Sequence, residues 1–244
     1  MTTNATADPA APEQTATVLV HGAWHAPWHW HEVRDRLQAH STAPVTAVDL
    51  PSCSNGGDLH DDAAAIRSAL DDYDDVLLVA HSYGGIPATE AAADHPAIRQ
   101  LLYLSSYMAD LGESLGGFEP APEVANIHPQ IDCELIDGGS AIMKPDRARE
   151  VLFHDCPDPD AAVDHLRPIS LAAIGQSPRS VAWKGIPSAY VITTADRATA
   201  VATQRELSKR ADRVFEINTG HSSFLAAPER VVEIIDGLRG TVHS

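Results

Sequence analysis

Six residues, Ala80-His81-Ser82-Tyr83-Gly84-Gly85, join the apolar run Val76–Ala80 to an alanine-rich stretch with helical spacing. A serine at such a sharp strand-to-helix turn is lifted clear of the sheet edge on a strained backbone. It needs small residues two before and two after it, because the chain passes close to itself there. Ala80 and Gly84 are those residues. The hydroxyl is a weak nucleophile until a base takes its proton and an acid orients the base. Thr219-Gly220-His221-Ser222-Ser223 follows the last predicted strand and presents His221 as the base. Thr194-Ala195-Asp196-Arg197, just past another strand, presents Asp196 as the acid. Asp110, after the run Gln100–Ser105, is an alternative, and Asp49 also ends a strand but precedes the serine. The chain order serine, aspartate, histidine agrees with His221 as the base and counts against Asp49. Val18-Leu19-Val20-His21-Gly22-Ala23-Trp24 closes the first strong strand, and Gly22 lets the following loop bring backbone N–H groups toward Ser82. The N–H groups of Ala23 and Tyr83 would together hold the oxyanion of a tetrahedral intermediate. The chemistry these residues can do is nucleophilic attack on an acyl carbon.

Such residues must be held at the ends of a rigid frame. Strand-length apolar runs occur at Ala16–Val20, Val45–Val48, Val76–Ala80, Gln100–Ser105, Ala189–Thr194 and Arg213–Ile217, and are read as strands covered on both faces. Helical spacing lies between them at Trp28–His40, Leu59–Asp71, Gly84–His95, Ala198–Ala211 and Pro228–Leu238. In the last of these, a first-turn proline followed by Glu229 suits a helix start. The alternation predicts an α/β fold, a mostly parallel sheet of about six strands flanked by helices. From Tyr107 to Lys184 the rhythm fails and Pro, Gly and His are frequent; the stretch is too long for a loop and reads as an inserted subdomain. Within it Asp132–Ile136, a turn at Asp137-Gly138-Gly139 and Ser140–Met143 predict a hairpin, and Lys144–His154 and Asp158–Leu166 predict helices. The expected organisation is a flexible tail over 1–15, a core made of 16–106 and 185–244, and a cap over 107–184. With all three catalytic candidates outside the cap, the cap is expected to select substrate rather than take part in the chemistry.

The remaining signals exclude more than they add. His21, His25, His29 and His31 are spaced by two or four residues, but they run from a strand end through Pro27 into a helix start and should not share a face, so no metal site is expected. Trp24, Trp28 and Trp30 read as core and pocket wall. No GxGxxG or phosphate-loop pattern is present, and no cofactor is implied. Three cysteines, Cys53, Cys133 and Cys156, without CxxC spacing suit free thiols in a reducing cytoplasm. The formal net charge of −17 disfavours nucleic acid and anionic membranes as partners. No apolar run reaches membrane-spanning length, and the polar N-terminus does not read as a signal peptide. The expected partner is a small-molecule substrate; a homodimer is left open.

Across residues 16–240 the sequence resembles the α/β-hydrolase superfamily, and more narrowly the branch of small bacterial esterases, plant methyl esterases and plant hydroxynitrile lyases. The resemblance is carried by His21-Gly22-Ala23-Trp24-His25 with Trp28 and Trp30, and by His81-Ser82-Tyr83-Gly84-Gly85. Gly112-Glu113-Ser114, Ala195-Asp196-Arg197-Ala198 and Gly220-His221-Ser222-Ser223-Phe224-Leu225 add to it. It implies Ser82 as nucleophile, His221 as base, Asp196 as acid, and Ala23 and Tyr83 as oxyanion donors. Two features depart from the pattern: Ala80 stands where glycine is commoner, and Pro51–Gly57 is not the usual Pro-Gly-His-Gly turn. The lyases carry a lysine directly after the catalytic histidine and a threonine after the first-loop histidine, where this chain has Ser222 and Gly22. The reading is a hydrolase of a carboxylic ester or lactone of a small, largely apolar substrate. A lyase or natural-product cyclase using the same cleft is the alternative. Trp24 and the cap residues Phe118, His128, Ile142, Phe153 and Trp183 are the expected pocket wall.

Overall fold

A computed structural model describes residues 14–118, 127, 129–136 and 139–240. The strands are β1 (Ala16–Val20), β2 (Val45–Val48), β3 (Val76–His81), β4 (Ile98–Leu104), β5 (Cys133–Ile136), β6 (Ser140–Met143), β7 (Ile169–Ser170), β8 (Ser188–Thr193) and β9 (Arg213–Ile217). Six of them form one sheet in the order β2-β1-β3-β4-β8-β9, every neighbouring pair parallel. Of the central strands, β1, β3 and β8 are buried along their whole length and β4 everywhere but at Arg99, as a parallel sheet covered by helices requires. The edge strands are not. Val45–Ala47 of β2 is half-buried, and Arg213, Val214 and Glu216 of β9 face solvent, so the expectation of two covered faces fails at both edges.

The helices start where local chemistry allows. Leu59–Leu70 is capped by Asp58, whose carboxylate accepts from the His60 and Asp61 N–H groups. The stretch expected as one helix over 28–40 opens instead as a tight turn, Pro27–Trp30, before the helix His31–His40. Gly85–Ala92 is shorter than expected and is followed by Asp94 in the left-handed region at φ 56°. The helix expected from Ala198 begins only at Val201, because the N–H groups of Ala198 and Thr199 are taken by the Asp196 carboxylate. Of the expected tail, residues 1–13 lie outside the described residues. Gln14 and Thr15 are tied to the body: Thr42 Oγ1 donates to Gln14 Oε1, Arg239 Nε donates to the Thr15 carbonyl, and Thr15 is buried.

Between β4 and β8 the chain builds a small antiparallel sheet, β5-β6-β7, with helices at Pro145–Val151, Pro159–Asp164 and Leu171–Gly175. The β5–β6 hairpin pairs as expected, Cys133 opposite Met143 and Ile136 opposite Ser140. This segment lies over the C-terminal ends of the large sheet, the edge where parallel α/β sheets gather their loops. No helix among the described residues is long and apolar enough to cross a membrane.

Candidate active site

Ser82 directly follows β3 and adopts φ 52°, the left-handed region that a serine enters at a cost of roughly 1–3 kcal/mol. The surroundings hold it there. Its carbonyl accepts from the Tyr107 N–H at 3.1 Å and from Ser106 Oγ at 2.7 Å, and the Tyr190 hydroxyl donates to the Ser106 carbonyl at 2.7 Å. The turn is so close that a Cβ at Gly84 would collide with the His21 carbonyl oxygen, and one at Gly22 would lie 2.8 Å from Ser82 Cβ. Tyr83 is anchored from the other side: its hydroxyl donates to Asp62 Oδ2 at 2.6 Å, and Asp62 also accepts from the Ser52 N–H and Oγ at 2.8 and 2.6 Å. Burial raises the Asp62 carboxyl above the usual range, opposed by those hydrogen bonds.

Asp196 follows β8 and His221 follows β9, on neighbouring strands. His221 Nδ1 donates to Asp196 Oδ2 at 2.8 Å, and both side chains are almost wholly buried. That bond leaves Nε2 as the free imidazole nitrogen. The carboxylate is saturated. Thr193 Oγ1 and Gln204 Nε2 also donate to Oδ2, both at 2.9 Å, while the N–H groups of Ala198 and Thr199 donate to Oδ1. The alternative acids are occupied elsewhere: Asp110 pairs with Lys184 and Asp49 with Arg167.

The histidine run behaves differently from its sequence reading. His25 and His29 do come together, with ring centroids 4.6 Å apart, and His25 is 5.2 Å from His81, which is itself 4.6 Å from His221. The tight turn at Pro27–Trp30 brings the two rings onto one side, where Phe153 packs against both. Burial lowers all three pKa values, His29 to about 3. His21 instead accepts from the Leu50 N–H through Nε2, and His31 packs on Trp28. Trp28 also stacks on His165, and Trp30 is core.

Ser82, His221 and Ala23 line one cavity of about 340 Å³. Trp24 and Phe118 wall it as expected. Trp183 does not: its indole N–H donates to the Ala109 carbonyl, and Lys184 and Arg210 sit against its ring. Phe153 is spent on the histidine rings beneath the site, Ile142 is not among the lining residues, and His128 lies outside the described residues. The wall is completed by Tyr107, Leu115, Ile127, Cys133, Ala141, Leu152, Leu171, Ile174, Thr199 and Thr203. Burial pushes the Cys133 thiol up to about 11, so it lines the wall as a neutral group. No described lining residue is Asp, Glu, Lys or Arg. Two signals were available in the sequence: Thr199 and Thr203 follow Asp196 within seven residues, at the entry to and in the first turn of the next helix, and Leu171 and Ile174 are three apart on one helical face.

Residues 17–234 match the family described as "Alpha/beta hydrolase family". The chain is 30% identical to an alpha/beta hydrolase, nvfD, of Aspergillus novofumigatus, over 92% of this chain and 96% of that protein. It is 32% identical to the carbendazim hydrolyzing esterase of a Nocardioides species over about half of each chain, 50% and 52%. In structure it is similar to a pyrethroid hydrolase of Sphingobium faniae with a TM-score of 0.79 and 23% identity, covering 93% of this chain and 97% of that one, a likeness of fold.

Proposed function

The chain belongs to the alpha/beta hydrolase family, and from that premise we propose that it is a serine hydrolase cleaving a carboxylic ester or lactone of a small, uncharged and largely apolar substrate. One observation carries the reading. The strained elbow serine and the buried, aspartate-bonded histidine open onto the same cavity, whose described walls bear no charge. The name of the Nocardioides relative, an esterase, supports the same class of reaction.

In this mechanism Ser82 Oγ attacks the acyl carbon and its proton passes to His221 Nε2. Asp196 holds the Nδ1 tautomer and stabilises the imidazolium that forms. The Ala23 and Tyr83 N–H groups receive the oxyanion; removing one such donor typically raises the barrier by about 3–4 kcal/mol. When the intermediate collapses, the ester C–O bond breaks and the leaving oxygen takes the proton from His221. Water, deprotonated by the same nitrogen, then attacks the acyl carbon and releases the acid and Ser82. The described residues between β4 and β8 act as the cap over the cavity.

The test is turnover of p-nitrophenyl butyrate by the wild type and by Ser82→Ala. The expected loss is about 10³-fold or more with an unchanged melting profile. Wild-type-like turnover by the alanine variant contradicts the reading.

A further inference from the structure

The loop that carries one oxyanion donor is fastened from outside the core. Directly after Ala23, Trp24 adopts φ 63°. A tryptophan stays in that region only where its surroundings over-determine it. Two of the groups that do so come from the segment between β4 and β8. The Arg167 backbone N–H donates to the Trp24 carbonyl at 2.8 Å, and the Trp24 indole N–H donates to the Ala141 carbonyl of β6 at 3.1 Å. The Arg167 guanidinium then grips Asp49 with both terminal nitrogens, Nη2 to Oδ1 at 2.6 Å and Nη1 to Oδ2 at 3.2 Å. Its Nη2 also lies 3.4 Å from the His25 carbonyl oxygen and 3.4 Å from His21 Nε2. Asp49 directly follows β2, the strand paired with β1. One arginine therefore joins the insertion, the loop of residues 21–25 and the edge of the large sheet. With Asp49 half-exposed, the ion pair adds little to stability. Its bidentate geometry is what fixes direction.

We infer, resting on the esterase reading above, that Arg167 is a positioning residue for the oxyanion-binding loop: the grip of its guanidinium on Asp49, with Nη2 beside the His25 carbonyl, keeps its backbone N–H on the Trp24 carbonyl and so aims the Ala23 N–H. An oxyanion donor acts only when it lies within about 2.7–3.1 Å of the developing charge. A displacement of about 1 Å can cost about a hundredfold in rate. The insertion therefore does more than the selection of substrate expected from its sequence.

The experiment uses full-length Arg167→Met and Arg167→Lys with p-nitrophenyl acetate, whose short acyl group makes little demand on the cavity wall, and with a trifluoromethyl ketone whose hemiketal oxygen occupies the oxyanion position. Enzyme is counted by the stoichiometry of covalent labelling with a fluorophosphonate. For Arg167→Met the expected result is a fall in kcat of about ten- to a hundredfold with KM within about threefold. The ketone inhibition constant should rise by the factor by which kcat/KM falls, and lysine should recover part of the loss. Should the methionine variant not fold, Asp49→Asn removes the grip from the other side and carries the same expectation. A lowered melting temperature with unchanged kcat per labelled site and unchanged ketone affinity overturns the inference while leaving the esterase reading intact. A wild type that neither turns over the ester nor takes the label overturns both.

Discussion

Asp196 has more partners than orienting a histidine requires. Its Oδ2 receives Thr193, Gln204 and His221, and its Oδ1 receives two backbone N–H groups. Asparagine at this position can present an oxygen to only one of those two sets. Either the histidine side or the backbone side then faces an NH₂ group, and a buried donor loses its acceptor at a cost of about 1–3 kcal/mol. The same exchange stabilises the wrong imidazole tautomer, which typically costs about 10⁴ in kcat. Asp196→Asn is thus expected to fold, melt several degrees lower and lose most of its turnover, as read by circular dichroism and ester hydrolysis. Asp110→Asn, which only releases Lys184 and the Leu111 N–H, is expected to keep turnover within about twofold. A larger loss from Asp110→Asn would assign the acid to the earlier strand. Gly22 and Ser222 matter at this scale too. Where the hydroxynitrile lyases that the sequence resembles have threonine and lysine, Gly22 has no room for a side chain against Ser82, and Ser222 is buried and neutral. No cyanide release from mandelonitrile above background is expected, because the departing anion finds no ammonium beside it. Efficient release, lost in Ser82→Ala, would favour the lyase.

At the scale of elements, the strands were legible because apolar runs of strand length have little else to become. β1, β2 and β9 fall on the predicted residues, and β3, β4 and β8 differ by one or two at their ends. Ser82, Asp196 and His221 were legible for a related reason: each sits within four residues of a strand's end, where chain order and residue type carry the information. Helix starts were not. The capture of the Ala198 and Thr199 N–H groups by Asp196 delays the helix that begins at Val201, and that is a tertiary event. The pocket wall was legible only in Trp24 and Phe118. Aromatic size marks a residue as buried, not as facing the cavity, and Phe153 and Trp183 are used under and outside it. What the wall does show is the absence of charge on its described residues, and this yields a prediction. Butyrate and hexanoate p-nitrophenyl esters should be turned over well. A p-nitrophenyl ester with a terminal carboxylate on the acyl chain should lose about a hundredfold or more in kcat/KM, because an unpaired carboxylate would be desolvated there. Equal rates for neutral and anionic esters would contradict an acyl site walled by the uncharged residues described above.

For the whole molecule, the cluster of neutral histidines under the site links stability to pH. His25, His29 and His81 are held below 6.5 by burial, so the unfolded chain binds more protons than the folded one in acid. Their contribution is complete above about pH 7 and declines as pH falls through the unfolded value of 6.5. For His29, whose folded value is about 3, the loss by about pH 5 is about 2 kcal/mol. Urea unfolding at about pH 7.5 and pH 5 is expected to show at least that loss, and to show less in His29→Gln. A stability independent of pH over this range would mean that the buried rings can take up protons. The central claim, however, concerns one hydroxyl in 244 residues. The parallel sheet brings the ends of β3, β8 and β9 together, and among the described residues Ser82 is the one serine that lines the cavity with His221, the base in the proposed mechanism. The most direct measurement is reaction of the full-length protein with a fluorophosphonate, followed by peptide mass spectrometry. The expected result is a single adduct on Ser82 that forms in step with the loss of ester turnover and is absent from His221→Ala. An adduct on Ser222 or Ser223, or full inactivation with no adduct on Ser82, would contradict the account.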